Sequence, residues 1–211
     1  MKPHAGLEEN SLFMKNILII VLFFTLVLGY LAFFWDGKMP TIPARSVSSS
    51  IDMNDPLYAK FQALSTKGNS SCSGTFTDSI SSMKDGDRLQ GSCCSPMNWH
   101  RYKEQVEGLK KYSNIKEIPS DPYDIDSNLA KKMKSYYDKQ LTKEQQGAYD
   151  YAMQNSNEKG PCCCKCWRWY VYGGLAKFLI AEKGFSGEQI TEVWNLSDGC
   201  GGEGDHVNHT S

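Results

Sequence analysis

At 211 residues, with a formal net charge of −1 and 40% apolar residues, the chain has room for one ordinary domain with a real core. The balanced charge and the lack of any Lys/Arg run give no reason to invoke a nucleic-acid partner. Eight cysteines exceed what a plain cytosolic domain carries, and fit either an exported, oxidised protein or a metal-thiolate protein.

Residues 1–16 form a short polar tail in which Lys2 and Lys15 are offset by Glu8 and Glu9. The stretch 17–35 is uncharged and almost wholly apolar, and as a helix it would cover roughly 28 Å, about one hydrocarbon core. Tyr30 and Trp35 lie near one end, where amphipathic rings favour the membrane interface. With no small-x-small cleavage site close behind it, the segment reads as an uncleaved single-pass anchor rather than a signal peptide. The cysteines and the three N-x-S/T sequons at Asn69, Asn195 and Asn208 all follow it, which points to a cell-membrane protein whose C-terminal domain is extracytoplasmic. Residues 36–54, with Pro40, Pro43 and a serine run, read as a flexible stalk.

The folded domain is expected over 55–202, all-α, with five to six helices. Asp55-Pro56 opens a short amphipathic helix to about residue 65, carrying Leu57, Phe61 and Leu64 on one face. Residues 67–92 show no periodicity and contain Cys72. Ser95 as N-cap with Pro96 at the first helical position predicts a helix to about residue 112, striped by Trp99, Tyr102, Val106 and Leu109. A proline-punctuated connector over 118–123 leads to a helix over 127–140, and Thr142 with Gln145 makes a capping box for the next, to about residue 155. Gly160-Pro161 then predicts a long helix over 161–183 stopped by Gly184, with Gly173-Gly174 in its middle marking a close helix approach or a kink. Ser186 with Gln189 caps a last short helix. The tail over 203–211 is glycine- and histidine-containing. Nothing alternates convincingly enough to predict a strand.

Chemistry concentrates in the cysteines. Cys93-Cys94 precede one predicted helix start, and Cys162, Cys163, Cys164 and Cys166 occupy the first turn of another, where exposed N–H groups favour thiolates. Convergence of these two ends would bring six thiols together, with Cys200 on its loop able to join. A regular helix from Pro161 spreads Cys162, Cys163 and Cys164 over about 200° and lets only Cys162 and Cys166 share a face. His100, one turn into the Cys93-Cys94 helix, is a possible further ligand. Thiolate donors suit zinc or copper(I). The alternatives are disulfide bracing of a structural surface protein and thiol-disulfide oxidoreductase chemistry. No P-loop, dinucleotide fingerprint, G-x-S-x-G or H-E-x-x-H sequence is present, so no catalytic residue is assigned. Trp167, Trp169, Tyr170 and Tyr172 read as packing aromatics. No residue pattern identifies a protein partner.

Residues 149–202 resemble the PCYCGC-motif proteins. The features shared are a Tyr- and Ala-rich helix, the run Pro161-Cys162-x-Cys164-x-Cys166, and a helix followed by a short capped one. Cys163 and Lys165 stand where that motif has Tyr and Gly. The resemblance implies an exported, membrane-attached protein with Cys162, Cys164 and Cys166 as metal ligands. The pair Cys163 and Cys166 is also similar to the C-x-x-C of thiol proteins of cytochrome c maturation, which implies redox chemistry.

Overall fold

A computed structural model of the chain describes residues 53–201, together with Val21 and Thr25. The expected anchor, stalk and tail, with His206 and His209, lie outside the described residues apart from those two positions. Among the described residues no helix is long and apolar enough to cross a membrane.

Seven helices and one short ribbon make up the domain. They are α1 (Pro56–Lys67), α2 (Gly74–Ser79), β1 (Arg88–Gln90), α3 (Trp99–Leu109), β2 (Asp124–Asp126), α4 (Ser127–Tyr136), α5 (Lys143–Asn155), α6 (Trp167–Lys183) and α7 (Gly187–Ser197). The helical class expected from the sequence is present, with one addition. β1 and β2 pair antiparallel, with Leu89 opposite Ile125. Both side chains are fully buried while their neighbours are not. Three residues per strand are too few for a period of two to stand out in the sequence.

Local signals define several boundaries. Asp55 caps α1 by accepting from the Leu57 N–H at 2.8 Å. Thr142 and Ser186 each form a reciprocal capping box with the glutamine three residues on, at the starts of α5 and α7. Gly184 ends α6 in the left-handed conformation at φ 69°.

Two helix starts differ from the sequence expectation. α3 begins at Trp99 with Asn98 as its cap, so Ser95-Pro96 belongs to a preceding bend. α6 begins at Trp167, with Cys166 in the N-cap position, and residues 160–166 form a run of bends. The Gly-Pro pair therefore marks a tight loop rather than a first helical turn. Neither cysteine cluster lies inside a helix.

α6 is the central element, buried on nearly all sides, and its Trp167, Val171, Tyr172, Leu175 and Leu179 join the main core with residues of α4, α5 and α7. Gly174 allows it to lie against α4. A Cβ at that position would overlap the carbonyl oxygen of Met133 and sit 3.0 Å from the Tyr137 nitrogen. The Gly-Gly pair is thus a close-approach device, and α6 continues through it as one helix. A second, smaller core joins Leu64 of α1 to Tyr102 of α3 and Tyr123. These layers leave the irregular segments at one end of α6, where the cysteines lie.

Candidate metal centre

Three irregular segments are tied side by side over the start of α6. The backbone N–H groups of Asn69 and Ser70 both donate to the Gln90 carbonyl at 2.8 Å, and the Ser70 hydroxyl reaches the carbonyls of Gly91 at 2.7 Å and Ser92 at 3.0 Å. This places the Cys72 loop beside Cys93-Cys94. On the other side, Cys93 N–H donates to the Gly199 carbonyl, and Cys94 and Ser95 donate to Cys200, at 2.8 to 3.2 Å. The Cys200 loop is held from below, because Gln105 of α3 donates to the Asp198 carbonyl at 2.5 Å and Asp198 accepts from the Cys200 N–H. Ser156 fixes the third segment: its buried hydroxyl accepts from the Gly160 N–H at 2.8 Å, just ahead of Cys162.

All eight cysteines converge there. The sulfur of Cys200 is 3.0 Å from that of Cys163 and 3.1 Å from that of Cys162, which in turn is 3.5 Å from Cys166. Cys93 and Cys94 are 3.7 Å apart, and Cys94 and Cys164 reach Cys163 and Cys72 respectively at 3.9 Å. Four triads have their sulfurs within 4.8 Å of one another: Cys72-Cys94-Cys164, Cys72-Cys93-Cys166, Cys93-Cys94-Cys200 and Cys162-Cys163-Cys164. No pair is at the roughly 2.05 Å of a sulfur-sulfur bond, and all eight thiols are free. The disulfide bracing expected as an alternative is not formed.

Exposure is graded across the cluster. Cys94 and Cys163 face solvent, Cys72, Cys93 and Cys164 are half-buried, and Cys162, Cys166 and Cys200 are buried. The seven cysteines singled out from the sequence all belong to it. Cys162 and Cys166 do come together, through the bend rather than as a helical i, i+4 pair. The same bend lets Cys162, Cys163 and Cys164 form one triad, which a helix from Pro161 would forbid. His100 does not join: it is exposed on α3 and belongs to none of the four groups.

Two participants carried no sequence expectation. Cys72 enters through the backbone pairing just described, which no local pattern announces. The other is Arg168, two residues after Cys166 and 1% exposed. Its guanidinium donates to the carbonyls of Pro122 at 2.6 Å and Gly91 at 3.1 Å, and it stacks 4.5 Å from the Trp167 ring centroid. Nε has no partner. Gly199 closes over the group so tightly that a Cβ there would overlap the guanidinium carbon. No described carboxylate forms an ion pair with it; the anionic groups that act on it are led by Cys93. A lone Arg in an aromatic helix, flanked by Cys164 and Tyr172 four residues either way, was the one available sequence sign.

The electrostatics of the sulfurs follow from this packing. Hydrogen bonds from the thiols of Cys162, Cys166 and Cys200, with Arg168 adding its charge, hold Cys93 far below the usual thiol range. Burial pushes Cys94 up to about 12. For Cys164 burial opposes ionisation, but hydrogen bonds from Cys166, Cys72, Cys94 and Cys163 outweigh it and lower the thiol.

No family model, curated protein or solved structure matches this chain. The site is interpreted from its own chemistry. A cleft of about 410 Å³ lies alongside the cysteine loop, lined by residues that include Lys134, Tyr137, Lys165 and Tyr170, and none of the eight cysteines lines it.

Proposed function

We propose that this protein binds a soft, thiophilic metal ion of the copper or zinc type through its cysteine cluster, as a membrane-anchored extracytoplasmic protein of metal storage, delivery or sensing. The observation that carries the reading is the convergence of all eight thiols, from four separate places in the chain, each sulfur within 4.8 Å of at least two others. Stapling alone would not require such convergence, since disulfides join sulfurs in pairs. Soft thiolates select copper(I) and zinc.

Arg168 supports metal over disulfide. A buried cation needs a counter-charge, and leaving one unpaired is strongly unfavourable. Disulfides are neutral and would give the guanidinium none, whereas a metal-thiolate assembly carries excess negative charge directly beside it. The graded exposure also fits the reading: Cys94 and Cys163 can receive an ion at the surface, and Cys162, Cys166 and Cys200 can retain it. The anchor over 17–35 and the outward orientation rest on the sequence, as does the likeness to the PCYCGC-motif proteins, whose implied ligands Cys162, Cys164 and Cys166 all belong to the cluster.

The test is thiol counting with metal analysis on the full chain, purified with and without added copper or zinc under anaerobic conditions. Bound metal should protect most of the eight thiols from alkylation until a chelator removes it. Absence of metal at any supply, with thiols alkylated at the same rate throughout, overturns the proposal.

A further inference from the structure

The four triads are not alternative versions of one site. Cys72-Cys93-Cys166 and Cys162-Cys163-Cys164 share no sulfur, so two ions can be held at once. Cys72-Cys94-Cys164 takes a sulfur from each of them, and the contacts of Cys200 with Cys162 at 3.1 Å and Cys163 at 3.0 Å join Cys93-Cys94-Cys200 to the second. That is the connectivity of a thiolate-bridged cluster. We infer that the site is polynuclear, holding at least two copper(I) ions per chain in three-sulfur coordination, with the sulfurs shared between neighbouring triads as bridging thiolates. This rests on the proposed metal binding and adds to it the number, oxidation state and linkage of the ions.

Three further features favour copper(I) over zinc for this arrangement. Zinc as a rule takes four ligands, four cysteines among the choices, whereas the groups formed here are sets of three sulfurs with no His, Asp or Glu among the described residues to complete them. With metal-sulfur bonds of about 2.3 Å, a planar three-sulfur site sets its sulfurs about 4 Å apart, inside the 4.8 Å that bounds each triad. Charge is the third. Monovalent ions leave more of the thiolates' negative charge uncompensated than the same number of divalent ions would. The buried, carboxylate-free Arg168 matches the anionic assembly.

The experiment is an anaerobic titration of the reduced full chain with copper(I) against a colorimetric copper(I) chelator, followed by native mass spectrometry and by luminescence. Shielded polynuclear copper(I)-thiolate clusters emit orange-red light under near-ultraviolet excitation, which isolated ions do not. Uptake of two or more ions per chain, with emission growing alongside, is the expected result. A plateau at one ion without emission overturns the polynuclear cluster and leaves metal binding standing; no uptake at all overturns both.

Discussion

Replacing Arg168 with methionine separates the charge of this residue from its volume. The structure sets two contributions. First, the guanidinium's hydrogen bonds to Pro122 and Gly91 are lost. Gly91 keeps the Ser70 hydroxyl as a donor, so one carbonyl, that of Pro122, loses its side-chain partner, at a cost of about 1–3 kcal/mol. Relief of the cation's own desolvation offsets part of this in the metal-free protein. Second, the metal-loaded cluster loses its counter-charge. Unit charges 4 Å apart interact by about 4 kcal/mol at an effective dielectric of 20, and one layer further back by about half of that. Copper(I) affinity should therefore fall by about 2 kcal/mol, about 30-fold, over and above any loss in metal-free stability. The assay is chelator competition on wild type, Arg168→Met and Arg168→Lys, with urea unfolding of each metal-free form. Lysine should recover much of the affinity because it restores the charge, though not the two-pronged hydrogen bonding. A folded Arg168→Met protein with wild-type copper(I) affinity would falsify the counter-charge role.

Three other substitutions or conditions test the scaffold. Gly174→Ala should destabilise by about 3 kcal/mol, the upper range for overpacking, because the added Cβ meets backbone of α4 and not a movable side chain; a urea-derived change below about 0.5 kcal/mol refutes the close approach. Ser186→Ala removes the hydroxyl that caps α7 and should cost about 1 kcal/mol in the same assay, with no change in metal affinity if the cap is purely structural. Burial raises the phenol pKa of Tyr102, Tyr112, Tyr123, Tyr149 and Tyr172, so the folded chain keeps protons that the unfolded chain releases near the ordinary tyrosine value of about 10. The folded state then binds more protons, and stability is full below about pH 10 and falls as pH rises past it. In the metal-loaded protein, a urea midpoint that holds steady or rises from about pH 8 to about pH 11 contradicts this.

What the sequence disclosed was local. The capping boxes at Thr142 and Ser186, the Asp55 cap and the Gly184 stop each depend on residues within one turn, and each stands where the sequence puts it. Local rules misplaced the two helix starts next to the cysteines for a physical reason. A proline after glycine or serine suits both a first helical turn and a tight bend, and the bend is selected by the bond of the Gly160 N–H to the Ser156 hydroxyl four residues back and by the long-range tie of Ser95 to Cys200. That error mattered, because helical spacing wrongly kept Cys162, Cys163 and Cys164 apart. The meeting of Cys93-Cys94 with the later cluster was legible from their shared setting. The place of Cys72 was not, since it is fixed by hydrogen bonds to residues about twenty positions away. Arg168 was hidden by its neighbours: a charged residue in a run of aromatics reads as an interruption until its carbonyl partners are seen.

The sulfur-bearing segments are the least regular part of the fold, whereas the main core beneath them contains no cysteine. An ion bound between Cys93, Cys94 and Cys200 ties together points more than a hundred residues apart, and in a chain-entropy treatment closing a loop of that size is worth about 5 kcal/mol. A bound metal would thus serve this end of the molecule as regular hydrogen bonding serves the other. Emptying the cluster should let the loops at 68–73, 91–98 and 160–166 exchange their amide protons freely while α4 and α6 stay protected, so that the protein reports its own metal content as local order.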